Sequence, residues 1–291
     1  MHTPKPRVTN VMSVDVEDYF QVQAFAGAVS RTEWEHLPRR VEGNTERILT
    51  QFEAAAVHAT FFTLGWVAER HKTLIRRIVA AGHELASHGY DHVLADRFTP
   101  AQFGEDVRRS KLILENIAGV PVIGYRAPTF SIGPRNPWAF EQLAGAGYRY
   151  SSSVFPIRHD LYGAPDAPRA PFQPVSGGLW EFPMTSVRLF ARNLPCSGGG
   201  YFRLLPYRLF RAGLGRVNHA ERRPGIFYFH PWEIDPDQPR LPGCSARARF
   251  RHFVNMRRMY GRVDRLLRDF AWDRMDRVFA PLLQLPCVPG G

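Results

Sequence analysis

Two histidines four residues apart, His88 and His92, stand in the run Ser87-His88-Gly89-Tyr90-Asp91-His92. Imidazole is a common ligand of divalent metals, and a spacing of four predicts two side chains on one face of a helical turn. Such a pair needs a third, harder donor, normally a carboxylate. The acidic cluster Asp15, Glu17 and Asp18 offers one, at the end of the short strand-like run 9–16. Carboxylates at the end of a buried strand are costly unless they are paired or bind a cation. Two more polar groups end apolar runs. One is Arg126-Ala127-Pro128-Thr129 after 122–125, and the other is His230 after Gly225-Ile226-Phe227-Tyr228-Phe229. A lone buried histidine is more often a satisfied core residue than a ligand. Four such clusters, each closing an apolar run, together point to metal-assisted hydrolysis.

The elements that must position these groups follow from period and punctuation. Strands are expected over 9–16, 58–64, 83–86, 122–126, 147–153 and 225–233, with a further one near 181–186. Helices are expected over 44–56, 66–81 with Gly82 as its stop, and 100–117 with Thr99 as cap and Gly119 as stop. Others follow over 136–145 and 205–220. This alternation predicts a parallel sheet or barrel with its polar groups at one end. Residues 155–200 read as loop-rich, with Ser197-Gly198-Gly199-Gly200 as a flexible stretch. The tail from 246 to 277 reads as basic amphipathic helix, with Phe250, Phe253, Met256, Leu266, Leu267 and Phe270 on its apolar face.

Composition narrows the alternatives. The chain has 291 residues, 44% of them hydrophobic, enough for a large single core. Its net charge is +11, from 38 Lys+Arg against 27 Asp+Glu. The arginines are scattered, and no nucleic-acid-binding motif accompanies them, so nucleic acid is not expected as a partner. Their charge leaves room for association with an anionic membrane surface. Cys196, Cys244 and Cys287 share no pairing or metal-binding spacing. No apolar leader follows Met1 and no run reaches the roughly 18 apolar residues of a membrane span, so a cytoplasmic protein is expected.

The motifs together resemble the polysaccharide deacetylases of carbohydrate esterase family four, the NodB-homology type. The resemblance rests on Ser13-Val14-Asp15-Val16-Glu17-Asp18, on the His88 to His92 motif, on Arg126-Ala127-Pro128 and on Phe227-Tyr228-Phe229-His230. It covers most of residues 10–235. Val14-Asp15-Val16-Glu17-Asp18-Tyr19-Phe20 and Phe229-His230-Pro231-Trp232-Glu233-Ile234-Asp235 are more narrowly similar to deacetylases of exosortase-linked exopolysaccharide loci. The resemblance implies an irregular (β/α) barrel of about seven strands over 8–240 and a basic helical extension over 241–291. It implies a divalent cation, typically Zn2+, held by His88, His92 and a carboxylate. Asp15 is then the base, Arg126 its partner, the Thr129 N–H an oxyanion donor and His230 the acid. The implied substrate is an N-acetylated glycan, an exopolysaccharide or its lipid-linked precursor. Other amide hydrolysis, or glycan binding without catalysis, are the alternatives.

Three departures from the family pattern stand out. The family commonly has adjacent aspartates where Asp15 is followed by Val16, so the carboxylate ligand is Glu17 or Asp18; the Asp-x-Asp spacing of some relatives points to Glu17. Thr129 stands where most relatives carry an aromatic, and Ser151 where close relatives carry Asp. Tyr19, Phe130 and Trp232, near the motif ends, are candidates for stacking against sugar, with core packing as the competing role.

Overall fold

The computed structural model describes residues 8–176 and 178–285. The amino-terminal run through Arg7 and Cys287 lie outside them. Ten strands follow in chain order: β1 (Thr9–Val16), β2 (Thr60–Thr63), β3 (Glu84–Ser87), β4 (Gly124–Tyr125), β5 (Tyr150–Ser151), β6 (Trp180–Glu181), β7 (Ser186–Leu189), β8 (Arg192–Pro195), β9 (Ile226–Phe229) and β10 (Ala271–Asp273). The helices are α1 (Val41–Ala54), α2 (Gly65–Arg70), α3 (Lys72–Ala80), α4 (Pro100–Ala118), α5 (Trp138–Gly145), α6 (Gly199–Leu204), α7 (Tyr207–His219), α8 (Ala246–Phe253), α9 (Met259–Asp269), α10 (Met275–Val278) and α11 (Ala280–Leu283).

Strands β1 to β6 pair in sequence order, all parallel, and β9 pairs with β1. The result is a curled parallel sheet of seven strands, as the motifs led us to expect. β10 joins as an eighth, pairing with Thr9–Val11 of β1 on the edge that β2 takes up further along. Residues after 240 are therefore not purely helical, because they return a strand to the barrel. β7 and β8 form a separate antiparallel hairpin.

The alternation of β1 shows how the sheet sorts its side chains. Met12, Val14 and Val16 pack in the outer core with Leu49 and Phe52 of α1 and Ile75 of α3. Val11 points the other way, into an inner core with Phe62, Tyr150 and Tyr228. Successive strand residues face opposite sides, so Ser13 and Asp15 continue the Val11 row into the barrel. The strand is buried from Asn10 onward, and its polar side chains must find partners there.

Local signals explain most element ends. Thr99 accepts the Gln102 N–H in a capping box, Pro100 occupies the first turn of α4, and Gly119 closes it at φ 70. One expected helix, 66–81, is two. At His71 the backbone leaves helical geometry (φ −128, ψ 50), separating α2 from α3. No described helix is long and apolar enough to cross a membrane.

Candidate metal centre

The exit of β1 sets the acids. The Glu17 N–H returns to the Asp15 carbonyl at 3.1 Å, a tight turn about Val16. Asp15 and Glu17, two apart, both enter the barrel end. Asp18 does not. Its Oδ1 accepts the Tyr19 N–H at 2.9 Å, and its Oδ2 accepts the N–H groups of Arg40 and Val41 at 2.8 and 3.0 Å. Burial raises the Asp18 pKa, and those three donors counter the shift. Asp18 therefore ties the 17–22 turn to the start of α1 and stands outside the histidine cluster.

Glu17, His88 and His92, all buried, bring one donor atom each to within 4.8 Å of one another. The histidines do not meet by a helical turn, contrary to the reading from their spacing. Gly89 (φ 77) and His92 (φ 58) are both left-handed, so 88–92 is a tight loop. Its carbonyls at Gly89 and Tyr90 accept the first N–H groups of α2, from Gly65 and Trp66, at 2.9 and 2.8 Å. The loop that bends the histidines together thus caps a helix that would otherwise leave donors unpaired. The imidazole rings end 5.5 Å apart, centroid to centroid.

The donor chemistry fits a divalent cation. His88 Nδ1 lies 2.8 Å from the Arg126 carbonyl, an arrangement that leaves Nε2 as the free donor. Burial, with His92 alongside, lowers the His88 pKa to about 4, which keeps the ring neutral and able to ligate. His92 Nε2 is 2.9 Å from Glu17 Oε2, yet that buried oxygen has no hydrogen-bond partner. A buried polar atom without a hydrogen-bond partner needs a reason, and a cation among these three donors would supply one. Burial alone would raise the Glu17 pKa, but the charges of His92 and His230 outweigh it and hold the carboxyl well below its ordinary range.

Asp15 lies beside this cluster, and Arg126 holds it. Arg126 Nη1 donates to Asp15 Oδ1 at 2.6 Å and to Ser13 Oγ at 3.0 Å. Its Nε donates to the Ser152 carbonyl at 3.2 Å, and its guanidinium lies 3.9 Å from the Phe62 ring. A fully buried guanidinium with this many partners is fixed in direction. The following turn is sharp. Thr129 is left-handed (φ 54, ψ 27), and its neighbours Phe130 and Ser131 donate their N–H groups to Ala127 and Pro128.

His230 closes the opposite side. Its Nε2 is 3.5 Å from Glu17 Oε1 and 4.0 Å from Asp15 Oδ2. Its Nδ1 meets Glu233 Oε1 at 2.8 Å, because Pro231–Ile234 forms a short 3-10 turn that returns Glu233 to the ring. Glu233 Oε2 accepts from Arg203 Nε at 2.7 Å, and Arg203 Nη1 donates to the His252 and Val254 carbonyls at 2.7 Å each. Burial would lower the His230 pKa, but Glu17, Glu233 and Asp15 together raise it to about 9.

Sequence reasoning missed Glu233 and Arg203. The signal was the His-x-x-Glu spacing in His230-Pro231-Trp232-Glu233, together with Gly199, where an added Cβ would fall 2.2 Å from the Glu233 carboxylate. The Ser197–Gly200 stretch, expected to be flexible, instead opens α6 against that carboxylate. The three aromatic candidates are core residues. Tyr19 is fully buried, Phe130 packs on Phe155, Tyr162 and Tyr228, and Trp232 lies between His230 and His252. Trp232 Nε1 also donates to Glu17 Oε1 at 3.1 Å, which steadies the carboxylate. At Ser151 the acid comes from the neighbouring strand. Glu181 stands opposite Ser151 in register and accepts the Ser153 and Val154 N–H groups at 2.9 Å each. It thereby shapes the loop that brings Ser152 to Arg126.

The curled parallel sheet gathers His, Asp, Glu and Arg at the carboxyl ends of its strands, the end at which barrel enzymes carry their active sites. Comparison with known proteins makes the class specific. Residues 34–151 match the polysaccharide deacetylase family, and residues 152–280 match a domain of unknown function (DUF3473). Over residues 34–151 the chain is thus similar to the polysaccharide deacetylases. It is 30% identical over 99 residues to a Bacillus cereus peptidoglycan-N-acetylglucosamine deacetylase, covering 34% of this chain and 36% of that one. It is 29% identical over 113 residues to a Helicobacter pylori peptidoglycan deacetylase, covering 37% and 36%. The chain thus spans about a third of the length of these relatives.

Among solved structures, one named as a polysaccharide deacetylase from Mycobacterium smegmatis aligns at a TM-score of 0.62 and 18% identity, over 98% of this chain and 94% of that one. A Bacillus anthracis protein named a CE4 family pseudoenzyme aligns at 0.50 and 12% identity, over 95% and 66%. Both share the fold, and the second makes the residues of the site, not the fold, the ground for any activity.

Proposed function

We propose that the protein is a metal-dependent hydrolase that removes acetyl groups from N-acetylated amino sugars of a glycan. The observation that carries this reading is the meeting of three kinds of group at one barrel end. They are the Glu17, His88 and His92 donors, the Asp15–Arg126 pair and the His230–Glu233 pair. Each answers a separate difficulty of amide hydrolysis. A divalent cation such as Zn2+, held by Glu17, His88 and His92, supplies Lewis-acid chemistry toward an unreactive carbonyl. Asp15, oriented by Arg126, takes the proton of the attacking water. The Thr129 N–H is the donor for the oxygen that gains charge. As the C–N bond breaks, His230 gives its Nε2 proton to the departing nitrogen, which would otherwise leave as an unstable anion. Glu233 at Nδ1 holds the ring in the tautomer this requires. The products are acetate and a free amino sugar.

The curated relatives are named for peptidoglycan and chitooligosaccharide deacetylation. The narrower motif phrases 14–20 and 229–235 support an exopolysaccharide or its lipid-linked precursor as the substrate here. A panel of N-acetylated oligosaccharides and lipid-linked precursors tests the reading. Acetate and free amine should appear in equal amounts, stop with chelator and return with Zn2+. Failure of the metal-loaded protein to release acetate from every member would overturn it.

A further inference from the structure

The β7–β8 hairpin stands outside the barrel sheet, and its tip is built against backbone preference. The two turn residues, Phe190 and Ala191, both have positive φ (46 and 58). Two-residue hairpin turns of this hand favour Asn-Gly, and a bulky aromatic is poorly suited to the position. Phe190 gains no packing in exchange, being 91% exposed. Leu189 and Leu194 beside it are exposed as well, at 43% and 41%. Arg188 and Arg192 flank this apolar tip, and among the described residues neither makes an ion pair or a side-chain hydrogen bond.

The adjoining helix continues the pattern. Gly213 of α7 packs against the hairpin base, where an added Cβ would lie 2.9 Å from Cys196 Sγ and 3.8 Å from Val187 Cγ1. Leu209, one turn earlier on that face, is 62% exposed, and Arg216 follows on the same side. An exposed aromatic tip ringed by leucines and unpaired arginines has the amphipathic make-up of an interfacial anchor. Such a surface sinks apolar side chains below lipid headgroups and leaves cations at headgroup level. The +11 chain charge is complementary to an anionic lipid layer.

We infer that the Phe190 hairpin and the adjoining face of α7 form a docking surface for an anionic lipid bilayer. The inference is independent of the hydrolytic reading, and its test needs no substrate. The full chain is sedimented with vesicles of phosphatidylcholine alone and of phosphatidylcholine mixed with phosphatidylglycerol. The wild type should bind the mixed vesicles, and its binding should weaken with salt. Phe190→Asn with Ala191→Gly suits the turn better than the native pair, so the variant should melt no lower than the wild type. It should nevertheless lose at least tenfold in binding. Arg188→Ser with Arg192→Ser should remove the preference for phosphatidylglycerol. Equal binding by the wild type and the tip variant would overturn the inference. So would a wild type that ignores vesicles but forms an oligomer that the tip variant abolishes, since the surface would then be a contact between copies.

Discussion

On the side of the centre built by residues 34–151, the backbone holds the imidazoles. His88 leans on the Arg126 carbonyl, and the 88–92 loop is pinned by the first N–H groups of α2. On the side built by residues 152–280, a chain of buried charges holds His230, running through Glu233 to Arg203 and on to the carbonyls of 252 and 254. Between the two sides lies Glu17, with a buried carboxylate oxygen that has no hydrogen-bond donor. On the second side, the Glu233 and Arg203 groups behind His230 make their hydrogen bonds within the protein. The comparison teaches that the region of unknown function helps to build this barrel end, because it brings His230, with Glu233 and Arg203 behind it, up to Asp15 and Glu17.

That contrast can be broken at either end. The largest effects should come from Asp15→Asn and His230→Ala, each lowering the rate of acetate release by about 10²- to 10⁴-fold, the range for general acid–base groups. Both should retain metal in elemental analysis, which separates them from ligand changes. Glu233→Gln should come next. It should lower kcat more than KM, and metal content should stay unchanged. It also leaves Arg203 buried without its carboxylate, at a cost of about 3–5 kcal/mol in denaturant unfolding. A Glu233→Gln protein with normal kcat would show that His230 does not need its partner. Asp18→Asn tests the outer tie rather than the centre. We expect normal metal content and a stability loss of about 1–3 kcal/mol, from weakened bonds to the N–H groups of Tyr19, Arg40 and Val41.

The smallest effect is on pH dependence. Burial raises the Glu181 pKa to about 7, so the folded state favours its neutral form. The unfolded carboxyl titrates near 4.3. Stability from this group is therefore full below about pH 4.3 and is lost as pH rises through about 7. Glu181→Gln should flatten the melting temperature across that window, and an unchanged slope would remove Glu181 as its source.

Much of this was legible because local physics settled it. β1 falls at Thr9–Val16 as its β-branched run indicates, and Thr99-Pro100 opens α4 as capping chemistry requires. The strand-end clusters were legible because a buried polar group needs a reason. What could not be read was set by tertiary geometry. The histidine spacing suggested a helical turn, but Gly89 and His92 in left-handed conformations achieve the same convergence in a loop. The choice between Glu17 and Asp18 depended on where the N–H groups of Arg40 and Val41 would fall, more than twenty residues away. Tyr19, Phe130 and Trp232 looked available to sugar from their positions in the chain, but packing buries all three. β10 was hidden in a basic amphipathic tail, because a strand of three residues is too short to show a period of two.

The central claim is that Glu17, with His88 and His92, makes a cation site between the base and the acid. Elemental analysis of the wild type and of Glu17→Gln, both purified with Zn2+ present, tests it most directly. The account predicts a single tightly held cation per wild-type chain and almost none in the variant. Equal metal in the two proteins would contradict it.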